Sequence, residues 1–271
     1  MHDDYDEFTE SVPYIKLVDC RHTVQMTLCN YVPPSKARIA RVNDDFYYVY
    51  STSELRPYSK GETGTKSDHR RSIHRAFNAI KQLINCNYDE PSHVRFLTLT
   101  YAENMRNNKR IRNDWTVFSR NMRKRYGPHE YLYVKEQQGR GAWHLHCVLF
   151  FGSPAPWMDN DEVRAIWGHG FVNIQGFTDD INNLGNYLCA YLTDDMEQGK
   201  KGGRLLNYES GVRLYNCSRG IKRPVERSIS FEAYTDMISS GDMLALSSRD
   251  SELVTPSGKH VHCRYELYRM D

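Results

Sequence analysis

Glu136-Gln137-Gln138-Gly139-Arg140-Gly141-Ala142-Trp143-His144-Leu145-His146 joins two runs rich in β-branched and aromatic residues, Tyr131–Glu136 and Trp143–Phe151. Its glycines fit the loop of a β-hairpin. Side chains two apart on a strand share a face, so His144 and His146 project together while Leu145 and Cys147 point the other way. Glu136 closes the preceding strand, which brings its carboxylate towards the two imidazoles.

Upstream, Val94-Arg95-Phe96-Leu97-Thr98-Leu99-Thr100-Tyr101 predicts a largely buried strand. Residues 112–125 predict a basic helix with Trp115, Phe118 and Met122 on one face. Downstream come a short helix (Asp161–Trp167), a strand (Phe171–Gln175) and a helix starting near Thr178–Asp180. The order strand, helix, strand, strand, helix, strand, helix implies an α+β fold. A central antiparallel sheet of the split β-α-β kind, with helices on one side, satisfies it.

Further out, Asp68 is placed to cap a helix carrying Ile73, Phe77, Ile80, Leu83 and Ile84 at helical spacing. Arg41-Val42-Asn43 and Phe46–Tyr50 suggest short strands, and Ser59–Ser67 an exposed loop. A Gly/Lys loop from Gly199 to Arg204 suggests a boundary. These breaks divide the chain into an N-terminal accessory segment (1–65), a central domain (66–200) and a C-terminal accessory segment (201–271).

With 39% hydrophobic and 26% charged residues the chain is globular and not disordered. A net charge of only +2 gives no whole-molecule basic field, so any nucleic-acid site must be a local patch. The basic stretch Arg106 to Arg125 is the main candidate, with a solvated helix face as the simpler account. Apolar runs near the termini are too short and interrupted for a membrane span or secretory signal. The seven cysteines occur singly, which argues against a disulfide framework, for buried free thiols at most of them, and for a reducing cytoplasm.

Two histidines and one carboxylate leave open positions on a divalent ion, as a metal that must also hold a phosphate oxygen requires. A merely polar strand face gives the same spacing. His260-Val261-His262-Cys263, with Glu252 eight residues ahead as Glu136 is ahead of His144, repeats it. Context separates the two: only the first copy runs into an apolar strand, Val148–Phe151, and is followed by a helix bearing tyrosines. In Asn186-Tyr187-Leu188-Cys189-Ala190-Tyr191, the two phenols lie one turn apart on one helix face. Beside a metal-bound phosphodiester, a phenol is a credible nucleophile; without one, the pair reads as packing.

Taken in order, Phe96–Tyr101, His144-Leu145-His146 and Tyr187–Tyr191 resemble the three motifs of the HUH endonucleases, specifically the rolling-circle replication initiators of plasmids and phages. Trp167-Gly168-His169-Gly170-Phe171-Val172 is similar to the same branch. The resemblance runs over residues 66–196 and implies a ferredoxin/RRM-like sheet carrying the histidines, with the tyrosines on an adjacent helix. It implies nicking of single-stranded origin DNA, a tyrosine joined to the 5′ phosphate and a free 3′ hydroxyl. Mg²⁺ or Mn²⁺ would be held by His144, His146 and Glu136. With no G-x-x-x-x-G-K-[ST] loop present, a host or phage helicase and polymerase would act in trans in the cytoplasm of a bacterial host.

One departure stands out. Many such proteins carry a lysine three residues after a tyrosine; here Ala190 and Asp194 take those places, and Arg140 or Lys135 would have to substitute. Alternatives are a relaxase or transposase using the same chemistry, or a DNA-binding protein with a degenerate site. A structural zinc protein using Cys20, His22 and Cys29 lacks a fourth ligand.

Overall fold

The structure, a computed structural model, describes residues 14–32, 39–43, 45–50, 52–57, 66–137, 141–177, 212–254, 258 and 260–270. The N-terminal part contains strands β1 (Tyr14–Asp19), β2 (Thr23–Cys29), β3 (Ile39–Arg41), β4 (Phe46–Val49) and β5 (Glu54–Pro57), then helix α1 (Lys66–Asn87). The middle contains β6 (Val94–Thr100), α2 (Asn108–Tyr126), β7 (Glu130–Gln137), β8 (Trp143–Phe150), α3 (Asn160–Trp167) and β9 (Val172–Gly176). The C-terminal part contains β10 (Tyr215–Cys217), β11 (Val225–Ile229), α4 (Phe231–Ser239), β12 (Met243–Val254) and β13 (His260–Met270).

The central sheet has the order β10-β7-β8-β6-β9, and its neighbours pair antiparallel. Two split β-α-β units interlock in it: β6 and β7 run parallel with β8 between them and α2 as connection, and β8 and β9 flank β6 with α3 as connection. This is the α+β sheet that the order of sequence patterns implied. Alternation along the strands explains the layering. Tyr131, Tyr133 and Lys135 share one face of β7, and Trp115 of α2 packs on the rings of Tyr131 and Tyr133 with centroids 4.8 and 4.5 Å away. Phe118 of α2 meets Trp167 of α3 edge-on at 5.5 Å, so both helices cover that side. Asn107 caps α2, accepting from the Lys109 and Arg110 amides, and the helix begins four residues earlier than its apolar stripe predicted. Helix α1 starts at Lys66, which puts Asp68 inside its first turn and not at its cap.

The Trp167–Val172 segment is built for a close approach. Gly168 ends α3 in the left-handed conformation, and Trp167 Nε1 donates to Thr100 O at 3.1 Å. Gly170, at φ +154°, brings its Cα so near β6 that a Cβ there would clash with Thr100 O and Ala102 N. Both obstacles are backbone and cannot swing aside. Gly170→Ala is therefore expected to cost roughly 3 kcal/mol, read as a lowered denaturant midpoint at unchanged slope. A shift below about 0.5 kcal/mol would show that the approach is not rigid.

The second sheet, β11-β1-β2-β13-β12, joins the segments read from the sequence as two separate accessory pieces. Its core holds Leu17, Met26, Leu28 and Tyr268, with Tyr234 of α4. Strand β10 leaves that C-terminal segment to extend the central sheet, and Leu214 and Ile221 beside it enter the central core. Helix α1 links the two layers: Ile73, Phe77, Ile80 and Ile84 belong to the central core, while Asn85 Nδ2 donates to Thr23 Oγ1 and Gln82 Nε2 to Gln25 Oε1. One pair departs from the expectation that most of the cysteines are free thiols. Cys29 and Cys263 are register partners on β2 and β13 and form a disulfide, with Cα atoms 4.4 Å apart. Among the described residues Cys20, Cys86, Cys147 and Cys217 remain thiols. Among the described residues no helix is long and apolar enough to cross a membrane.

Candidate functional site

The β7–β8 hairpin sets Glu136 directly opposite His144 and Val134 opposite His146. On the other side of β8, Thr100 of β6 faces His144 and Thr98 faces His146; beyond it Asn173 of β9 faces Thr98. Directly paired residues project from the same face of a sheet. Glu136, His144, His146, Thr98, Thr100 and Asn173 therefore form one polar patch on the face opposite α2 and α3. Phe171, two residues before Asn173, borders this patch and is 61% exposed.

Within the patch, His146 Nε2 lies 2.6 Å from Glu136 Oε2, and Thr98 Oγ1 lies 3.3 Å from His146 Nδ1. The Phe96 ring stacks on the imidazole at 5.9 Å with planes 7° apart. The ring is thus held from three directions. With a proton on Nε2 it donates to Glu136 while Thr98 donates to Nδ1; with Nε2 freed for a cation, Nδ1–H donates to Thr98 instead. Thr98 was unremarkable in the sequence, where the threonines of that strand needed no functional reading. Its role follows only from the β6–β8 register. The imidazole is 6% exposed and the Glu136 side chain 17%, so the pair opens to solvent through the carboxylate.

The donor chemistry suits a hard or borderline divalent ion: a carboxylate oxygen and an imidazole nitrogen converge, and His144 sits beside them with its Nε2 buried. Among the described residues, no three His, Cys, Asp or Glu side chains are already gathered as a finished metal site. The second His-x-His copy differs in burial. His260 and His262 side chains are 65% and 51% exposed, and both lie near Glu252, at 2.7 and 3.9 Å. It forms a polar edge of the β12–β13 hairpin.

Tyr187 and Tyr191 lie outside the described residues, as does Arg140. Lys135, the other cation expected to stand in for the absent lysine, projects from β7 on the α2 side, away from Glu136. Burial, aided by the Arg213 guanidinium, pushes its ammonium down to about 8. Tyr101 is fully buried, and its hydroxyl donates to Asp114 Oδ2 at 3.0 Å. Burial and that carboxylate push the phenol far up, which makes it a structural group and not a nucleophile. The Cys20, His22, Cys29 set does not assemble: Cys29 is in the disulfide, and His22 Nε2 faces Asp89 Oδ1 at 3.1 Å. Of the basic stretch, Arg110 pairs with Glu103 and Asp114, Arg125 pairs with Glu162, and Arg123 donates to His129 O. Much of that charge is structural.

Residues 94–196 match the family described as Replication-associated protein ORF2. The match begins at β6, takes in the whole patch and ends beyond Tyr191, well under half of the 271 residues. It supports a role in replication initiation. No curated protein and no solved structure matches the chain.

Proposed function

We propose that this chain is a rolling-circle replication initiator that nicks single-stranded origin DNA through a tyrosine. The observation that carries this reading is the convergence of Glu136 and His146, with His144 alongside, on one face of a sheet within the segment similar to replication-associated proteins. Glu136, His144 and His146 would hold Mg²⁺ or Mn²⁺. When bound, the ion would polarise a phosphodiester oxygen. The chain's own part is to orient: Thr98 and Phe96 fix the His146 ring, and Phe171 offers an exposed aromatic surface on which a base can stack. Tyr187 or Tyr191 then attacks phosphorus. A bond forms from the phenolate oxygen to the 5′ phosphate, the bond to the 3′ oxygen breaks, and that oxygen leaves as a hydroxyl after taking a proton.

The same residues would serve a relaxase or transposase. Ala190 and Asp194, in the places where a lysine is common, favour one rival of another class, a DNA-binding protein with a degenerate site. The deciding experiment incubates the protein with end-labelled single-stranded DNA from the replicon that carries its gene, with Mn²⁺ or with chelator. Cleavage that requires the metal and leaves protein on the 5′ end supports nicking. Binding without cleavage under every metal condition supports the degenerate site.

Glu136 carries its own test. The carboxylate supplies charge and a hard oxygen, so Glu136→Gln is expected to weaken Mn²⁺ affinity at least about tenfold. DNA binding in chelator should change little. Superimposable metal titrations for the variant and the parent would remove Glu136 from the metal site.

A further inference from the structure

We propose that a second site, a cavity between the first turns of α2 and strands β7 and β10, binds the phosphate of a nucleotide. Its volume is about 710 Å³, and its lining includes Lys109 and Arg112 of α2, Tyr133 and Lys135 of β7, and Arg213 and Tyr215 at β10. That volume lies within the roughly 300–1,000 Å³ of small-molecule sites. Four cations converge on it, and none of the described residues that line it is a carboxylate.

This charge is not the ordinary solvated face of a basic helix. Arg110 and Arg125 of α2 are matched by carboxylates, whereas Lys109 and Arg112 have none within 4 Å among the described residues. Lys135 is only 7% exposed, and its ammonium donates to Asn108 Oδ1 at 2.7 Å at the cavity wall. Arg213 is held over β10 by its Nε donating to Tyr215 O at 3.1 Å. Like charges gathered around a partly enclosed space repel, and a dianionic group placed among them relieves that cost. Arginine forks and lysine ammoniums together match a phosphate, and the half-buried phenol of Tyr215 gives a sugar or base both ring surface and a hydroxyl.

The cavity is distinct from the histidine patch, because Lys135 and Glu136 are adjacent on β7 and project to opposite faces. A strand held here would be contacted at a second place, away from the scissile bond. The phosphate can come from a free nucleotide or from a nucleotide within a single strand, and the two sources are separable.

The test uses the full chain in chelator, so that it does not depend on cleavage. The probes are thymidine 5′-monophosphate, followed by calorimetry, and a fluorescein-labelled oligothymidylate of about 12 nucleotides, followed by anisotropy. The double variant Arg112→Ala/Arg213→Ala should bind at least one probe about tenfold more weakly or worse. For the oligonucleotide, the dependence on log salt should flatten by roughly 0.7 per cation removed. Both side chains are exposed, so thermal unfolding should not move. The control Arg120→Ala/Lys124→Ala removes equal charge from α2 outside the cavity and should change affinity less than about twofold. Loss with both probes identifies a free-nucleotide pocket, and loss with the oligonucleotide alone identifies a strand contact. Parental affinity of the double variant for both probes, or an equal loss in the control, overturns the proposal.

Discussion

His146→Ala is expected to abolish metal-dependent cleavage of single-stranded origin DNA, and His144→Ala to reduce it by on the order of a thousandfold or more. The surroundings of the ring are the reason. His146 touches Glu136 through one nitrogen and Thr98 through the other, and is stacked on Phe96, so its ring is fixed in the patch from three sides. Under the proposed reading, removing it deletes a metal donor and takes from the Glu136 carboxylate the imidazole it faces. Because His146 is buried, the alanine variant needs a folding control. Near-parental thermal unfolding with lost cleavage separates the chemical role from a packing role. His144 is half-buried and gives the cleaner variant. His260→Ala and His262→Ala supply the matched comparison: the same spacing and the same kind of carboxylate neighbour, but exposed on another sheet. They should cleave at near-parental rates. Dispensability of the first pair together with a requirement for the second would overturn the site assignment.

What the sequence revealed and what it hid divide along the range of the interactions. The β6-α2-β7-β8-α3-β9 order was legible because each element carries its own period: the alternation of Val94–Thr100, the Trp115, Phe118, Met122 stripe, and glycines at the hairpin. His144 and His146 were legible for the same reason, since alternation on one strand fixes their common face. The contact of His146 with Thr98, and the place of Asn173 beyond Thr98, depend on strand register, which no local pattern states. The second sheet was hidden more deeply. Strands β1 and β2 pair with β11 and β13 from the far end of the chain, and neither half buries an apolar face alone. The Cys29–Cys263 pair spans 234 residues and is a consequence of that pairing, so single cysteines without any short-range spacing gave no sign of it. Lys135 misled for the opposite reason. Named as a stand-in for the absent lysine, it neighbours Glu136 in sequence, but the alternation of a strand sends adjacent side chains apart.

The other large effect concerns the proposed nucleophiles, Tyr187 and Tyr191, which lie outside the described residues. Tyr187→Phe and Tyr191→Phe keep each ring's packing and remove only the hydroxyl, so they separate a structural from a chemical role. Transfer to a phenol leaves protein on the 5′ side of the break. A labelled product should therefore stay with the protein in a denaturing gel until protease is added. If one tyrosine acts alone, one variant loses the adduct and the other keeps it. If the two alternate, each single variant still cleaves once but fails to rejoin a second origin strand, and only the double variant is dead. The structure narrows the alternatives in one respect: Tyr101, the phenol that ends the first motif, is buried against Asp114 on the far side of the sheet. A double variant that still forms the adduct would require a nucleophile other than Tyr187 and Tyr191, and their helical spacing would then be packing.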